Sequence, residues 1–109
     1  GELTQVLINI LNNAKDALIK NQIANPWIKI DLEHNEGKAI ITIEDNAGGI
    51  KENVLSKIFE AYFSTKSNKN GTGLGLYMCK AIVEQHSLGK INAYNTPKGA
   101  KFVVQLPLK

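Results

Sequence analysis

A chain of 109 residues that is 43% hydrophobic supports one small domain with a modest core. Its formal charge of +3 comes from lysines spread along the chain, which gives little support to nucleic-acid binding. The single cysteine, Cys79, excludes an internal disulfide, and no apolar run approaches the roughly twenty residues of a membrane-spanning helix.

From Glu2 to about Asn21 the apolar residues Leu3, Val6, Leu7, Ile10, Leu11, Ala14, Ala17 and Leu18 repeat at i, i+3, i+4 and i+7, which predicts an amphipathic helix. Asn9, Asn13, Asp16 and Lys20 make a polar stripe beside that face. Asparagine is a mediocre helix former, so three of them in one helix need a reason. Asn12 reads as exposed and tolerated. Asn9 and Asn13, one turn apart at the edge of the apolar face, offer amide oxygens suited to a hard cation such as magnesium.

Asn25-Pro26 interrupts the helical pattern, and from Trp27 the period becomes two. Ile28, Ile30 and Leu32 alternate with Lys29, Asp31 and Glu33; Asn35-Glu36-Gly37 supplies a hairpin turn before a second strand, Ala39–Asp45. If Ile41 and Ile43 face the core, Asp45 follows them inward, just ahead of Asn46-Ala47-Gly48-Gly49. That carboxylate has two readings. It caps its own turn, or it is aimed into a cavity where it needs a donor such as an adenine amino group.

Ile50 to Tyr62 reads as a short helix followed by an apolar knot that includes Ile58 and Phe59. The polar run Ser64–Asn70 then looks like a flap hinged on packed aromatics and on Gly71, with Lys66 and Lys69 as candidate phosphate contacts or a solvated charge pair. Gly71, Gly73 and Gly75 alternate with Thr72 and Leu74 and lead into a helix that runs to His86. Leu74, Met78 and Ile82 form one stripe of it, and Leu76 and Val83 lie elsewhere on its apolar side. A glycine loop at a helix start suits a phosphate, although the same pattern serves as a flexible turn. Its GxGxG spacing matches neither the Walker loop nor the dinucleotide or protein-kinase loop. Ser87-Leu88-Gly89 then ends the helix as a glycine C-cap. Lys90–Tyr94 and Ala100–Leu106 form a strand pair across Thr96-Pro97-Lys98-Gly99, with Phe102, Val104 and Leu106 inward. Neither His34 nor His86 has a companion that suggests metal or triad chemistry. Helices and antiparallel strands in this order predict an α+β, two-layer sandwich.

Four stretches, in order and spacing, resemble the ATP-binding catalytic domain of sensor histidine kinases within the GHKL ATPase group. Gln5–Ala17 resembles the N box, Asp45–Ile50 the G1 box, Lys57–Lys66 the F box and Gly71–His86 the G2 box. The closing Lys98–Leu108 is similar to the family's last strand, so the resemblance covers essentially residues 1–109. It implies the Bergerat fold, a mixed and mostly antiparallel sheet covered on one face by helices. It implies ATP and Mg2+ as cofactors, and Asn9, Asn13 and Lys66 as the catalytic set, with Asn13 holding the magnesium through the ATP phosphates.

The nucleotide-binding set that the resemblance implies is Asn9, Asn13 and Asp16 on the first helix, then Asp45, Ala47, Gly49, Ile50 and Phe59, then Thr65, Lys66, Gly71, Thr72, Gly73, Leu74, Gly75 and Leu76. In that scheme Asp45 accepts from the adenine amino group and Gly49 keeps the base pocket open. Thr65, Lys66 and the N–H groups of Gly71–Gly75 hold the phosphates under a closing lid. Partners follow from the same resemblance: a histidine on the dimerisation domain of the same kinase and, indirectly, a response regulator receiver domain. Contact with nucleic acid or with the membrane is not expected of the domain itself. A cytoplasmic location is, with the parent protein free to be anchored in the inner membrane.

Where the gyrase, chaperone and mismatch-repair ATPases carry a glutamate as general base, this chain has Asn9, which cannot take a proton. That favours a kinase over a hydrolase; the alternatives are a GHKL regulatory module, either an anti-sigma type serine kinase or a degenerate kinase acting by protein binding, and a GHKL ATPase. Ala47 stands where a first glycine is common, and Lys101 precedes Phe102 where many members have a threonine. No histidine sits in a phosphoacceptor context, and the strand that usually precedes the first helix is missing. The expectation is therefore a catalytic domain excised from its dimerisation domain.

Overall fold

The computed structural model describes residues 1–61 and 75–108. Helix α1 (Glu2–Lys20) leads into the hairpin β1 (Ile28–Asn35) and β2 (Lys38–Asp45), then the single turn α2 (Glu52–Leu55). Helix α3 (Gly75–Ala81) continues as a π-helical turn over Ile82–His86, and β3 (Lys90–Asn95) and β4 (Ala100–Pro107) complete the described chain. The strands form one four-stranded sheet in the order β1-β2-β4-β3, antiparallel at every pairing. The predicted α+β sandwich is the observed one, and its sheet contains no parallel pairing among the described residues.

The alternation of each strand sets the layers. Ile43, Phe102 and Ala93 lie in register across β2, β4 and β3, as do Ile41, Val104 and Ile91 one pleat further along. Against that face α1 buries Val6, Ile10, Ala14 and Leu18, a stripe repeating every four residues. Burying each larger side chain of this set fully contributes about 1.5–3 kcal/mol. The edge strand β1 projects beyond the helical layer, so Ile30 and Leu32 remain 56% and 72% exposed although they share the inward face. The periodicity identified the strand but not its burial.

Two details of the second helix differ from expectation. Met78 is 46% exposed, and the buried face is Cys79, Ile82 and Val83 with Leu76 partly covered. The helix also does not close on a left-handed glycine. Leu88 takes the positive φ of 56°, while the Gly89 N–H donates to the Val83 carbonyl at 2.8 Å. Gly89 is required for another reason: a Cβ there would stand 2.1 Å from the Gln105 carbonyl oxygen on β4.

Candidate functional site

Strand β2 ends with Asp45 on its inward face, as the alternation predicts, and the residue is only 5% exposed. Its Oδ1 accepts from the Ala47 N–H at 2.9 Å and from the Ala100 N–H at 3.3 Å. Both readings of this carboxylate therefore meet in one place. It caps its own turn, and it is held inside the fold by a second segment. Gly99 makes that approach possible, since a Cβ on it would lie 2.1 Å from the Asp45 carbonyl oxygen and 2.6 Å from Oδ1.

The turn that follows is secured from several directions. Asn21, the residue capping the end of α1, donates from Nδ2 to the Ala47 carbonyl at 2.8 Å. Asn46 accepts from the Trp27 N–H at 2.9 Å and donates to the Asn25 carbonyl at 3.2 Å. The Gly48 N–H donates to the Lys98 carbonyl, and Gly48 and Gly49 adopt φ of 97° and 87°. Ile50 is bonded through both backbone groups to the Asn95 side chain. A Cβ on Gly49 would meet Asn95 Oδ1 at 3.1 Å and the Gly99 carbonyl oxygen at 3.4 Å. The room left by Gly49 thus borders this clamp.

Helix α1 runs from this turn to the start of α3. Asn9 accepts at Oδ1 from Gln5 and donates from Nδ2 toward the Gly75 carbonyl at 3.5 Å and Cys79 Sγ at 3.6 Å. Its amide therefore ties the two helices together where the glycine-rich stretch ends. Asn13 and Asp16 lie further along the same half-buried stripe, with Asp16 engaged in a further interaction. From Asn9 to Asn21 the helical rise spans about 18 Å. Gly75 is thus held near the middle of α1 and Ala47 at its C-terminal end.

Of the remaining expected residues, Phe59 packs edge-on against Phe102 with ring centroids 6.2 Å apart, and Lys80 Nζ lies 5.6 Å from the centre of the Phe59 ring. Ile50 and Leu76 pack against the core. Lys101 lies half-buried on β4, whose alternation puts it on the face opposite Asp45. Thr65, Lys66, Gly71, Thr72, Gly73 and Leu74 lie outside the described residues. An open depression of about 580 Å³ is lined by Trp27, Ile28, Lys29, Glu44, Thr96, Pro97 and Lys98, none of them an expected site residue. Burial pushes the Cys79 thiol above its ordinary pKa, partly offset by the bond from Asn9, which marks it as a packing residue. No group of three or more His, Cys, Asp or Glu side chains stands together among the described residues, and no described helix is long and apolar enough to cross a membrane.

The sequence reading missed Asn21, Asn46, Asn95 and Gly99. Asn46 lies inside a quoted motif and was legible as a turn residue; the others lie at element ends, where their roles depend on a distant partner.

A model of the histidine kinase-, DNA gyrase B- and HSP90-like ATPases matches residues 1–109. The chain belongs to that family. Within it, the chain is 40% identical over 110 residues to the two-component sensor PprA of Pseudomonas aeruginosa, covering 98% of this chain and 12% of that protein. The nucleotide-free catalytic domain of histidine kinase ThkA superposes with a TM-score of 0.81 at 36% identity, over 97% of this chain and 66% of that one. ThkA in complex with the response regulator protein TrrA gives 0.78 at 32% identity, over 98% and 28%. This is the histidine kinase catalytic fold of the ATPase family. The chain spans a small part of the length of the curated sensors it matches.

Proposed function

We propose that this chain binds ATP with magnesium and transfers the γ-phosphate to a histidine on the dimerisation domain of its own sensor kinase, for relay to a response regulator receiver domain. The observation that carries the reading is Asp45, a buried carboxylate whose Oδ1 is already occupied by two backbone N–H groups. Oδ2 is then the acceptor for the adenine amino group, and a bond to a charged acceptor in so sheltered a place is worth about 1.5–3 kcal/mol. Ala47, Gly49 and Ile50 frame the base from the same turn.

Along α1 the phosphates would extend toward Asn13, Asn9 and Gly75. Asn13 would give one amide oxygen to the magnesium, with phosphate oxygens and water completing its shell, in keeping with the few protein ligands that this ion takes. The metal supplies charge neutralisation on the phosphoryl oxygens. Asp16, Thr65, Lys66 and residues 71–74 belong to the same proposal, as do Phe59 and Leu76, which back the pocket from the core side. Positioning and charge neutralisation are most of what phosphoryl transfer asks of a protein. Asn9 cannot deprotonate water, which supports transfer over hydrolysis. A cytoplasmic setting, where ATP and the receiver domain are found, follows from this role.

Incubation with Mg-ATP labelled at the γ position and with the kinase's own dimerisation domain tests the proposal. Acid-labile, alkali-stable label on that domain is expected, with no label on this chain alone. Steady phosphate release without a partner would instead place the chain with the ATPases. Binding with neither release nor transfer would make it a regulatory module.

A further inference from the structure

Asn95 is the last residue of β3, outside every motif quoted above. Its amide lies against the backbone of Ile50, 45 residues away in sequence. The Ile50 N–H donates to Asn95 Oδ1 at 2.8 Å, and Asn95 Nδ2 donates to the Ile50 carbonyl at 2.7 Å. These two bonds reproduce the exchange within a bonded residue pair of an antiparallel ladder, at a point where the chain has already left the sheet. A planar carboxamide is the side-chain group that offers an acceptor and an N–H donor side by side.

The clamp falls directly after Gly48 and Gly49, where positive φ leaves the backbone least able to fix its own course. The β3–β4 register pairs Asn95 with Ala100. Ala100 donates to Asp45, so this one ladder pair grips both ends of the Asp45–Ile50 turn. Gly49 completes the arrangement, since a Cβ there would crowd the Asn95 oxygen at 3.1 Å.

We infer that Asn95 is a positioning residue for base recognition: by holding Ile50 it fixes the turn in the conformation that presents Asp45 to the purine amino group. The inference rests on the ATP reading and is tested so that the two can fail separately. Affinities for Mg-ATP and for purine riboside 5′-triphosphate, which lacks the 6-amino group, are measured on the wild type, Asn95→Leu and Asn95→Asp. Amide hydrogen exchange at Ile50 is followed in the same samples. Asn95→Asp keeps the shape and Oδ1 but loses the donor, so it serves if Asn95→Leu does not fold.

The wild type should prefer ATP by about tenfold or more, as expected for one bond to a charged acceptor. In the variants that preference should shrink several-fold, and Ile50 exchange should accelerate, while affinity for the analogue falls by a smaller factor, because its purine has only the framing contacts of the turn to lose and no bond to Asp45. An unchanged preference in both variants, or an equal loss for both nucleotides, overturns the role of Asn95 and leaves the ATP reading standing. A wild type that binds neither nucleotide overturns the ATP reading, and the role of Asn95 falls with it.

Discussion

Strand β2 is bounded by two glycine-containing turns that look alike in sequence and differ in kind. Asn35-Glu36-Gly37-Lys38 joins β1 to β2 with φ of 51° and 76° at its two central residues, the backbone of a tight hairpin. A Cβ on Gly37 would meet nothing within 4 Å, and the one backbone bond it receives from elsewhere is from the Leu108 N–H. At the other end of the strand, Asp45–Ile50 also has two positive-φ residues, yet it is bonded to Asn21, Asn25, Trp27, Asn95, Lys98 and Ala100. Among the described residues the first turn takes that single outside bond. The second is shaped by the C-cap of α1, the segment leading into β1, the end of β3, the turn after it and the start of β4, which is how a loop becomes rigid enough to recognise a ligand.

Substitutions can break this contrast in order of expected effect. Gly99→Ala should act most strongly, because its Cβ would collide with the Asp45 backbone as well as with Oδ1 of its side chain. A loss of about 3 kcal/mol in denaturant unfolding is expected, the upper end for overpacking. Gly49→Ala combines a positive φ with crowding of Asn95 and should cost about 2 kcal/mol while also weakening ATP binding in calorimetry. Gly37→Ala carries the φ penalty alone, about 1 kcal/mol in the same unfolding assay, with ATP affinity unchanged. Equal effects of Gly49→Ala and Gly37→Ala on nucleotide affinity would erase the distinction between the turns.

The smallest effect is expected at Cys79, which lies in neither turn and is buried in the core beside Asn9. Its folded pKa is raised, chiefly by burial, so the unfolded chain releases the thiol proton first. Stability from this group is therefore intact below the ordinary thiol range and declines as pH rises through it toward the folded value. Cys79→Ala should remove that pH dependence, and alkylation of the native wild-type thiol near neutral pH should be slow relative to the unfolded chain.

The parts of this molecule that were legible in sequence are those decided locally. The i, i+4 stripe of Val6, Ile10, Ala14 and Leu18, the alternation that carries Asp45 inward, and the hairpin at Glu36-Gly37 all depend on near neighbours. What was not legible depends on segments brought together by the fold. The alternation puts Ile30 and Leu32 on one face but does not reveal that they sit on an edge strand beyond the helices. Gly89 looked like a helix cap, whereas Leu88 takes the left-handed conformation and Gly89 makes room for β4. Asn95 and Gly99 look like ordinary hairpin residues until the Asp45–Ile50 turn lies against them. Most of the proposed phosphate contacts, Thr65, Lys66 and residues 71–74, fall outside the described residues and rest on the family pattern.

The central claim is that Asp45 recognises the base of a bound ATP. Calorimetric titration of a non-hydrolysable ATP analogue, with and without magnesium, into the wild type and Asp45→Asn tests it most directly. The substitution is isosteric and keeps an oxygen for the Ala47 and Ala100 N–H groups, but it turns an N–H group toward the adenine amino group. Magnesium-enhanced binding by the wild type, weakened at least about tenfold in a folded Asp45→Asn protein, is the predicted result. Equal affinity in the two proteins would contradict the account and move the base away from Asp45.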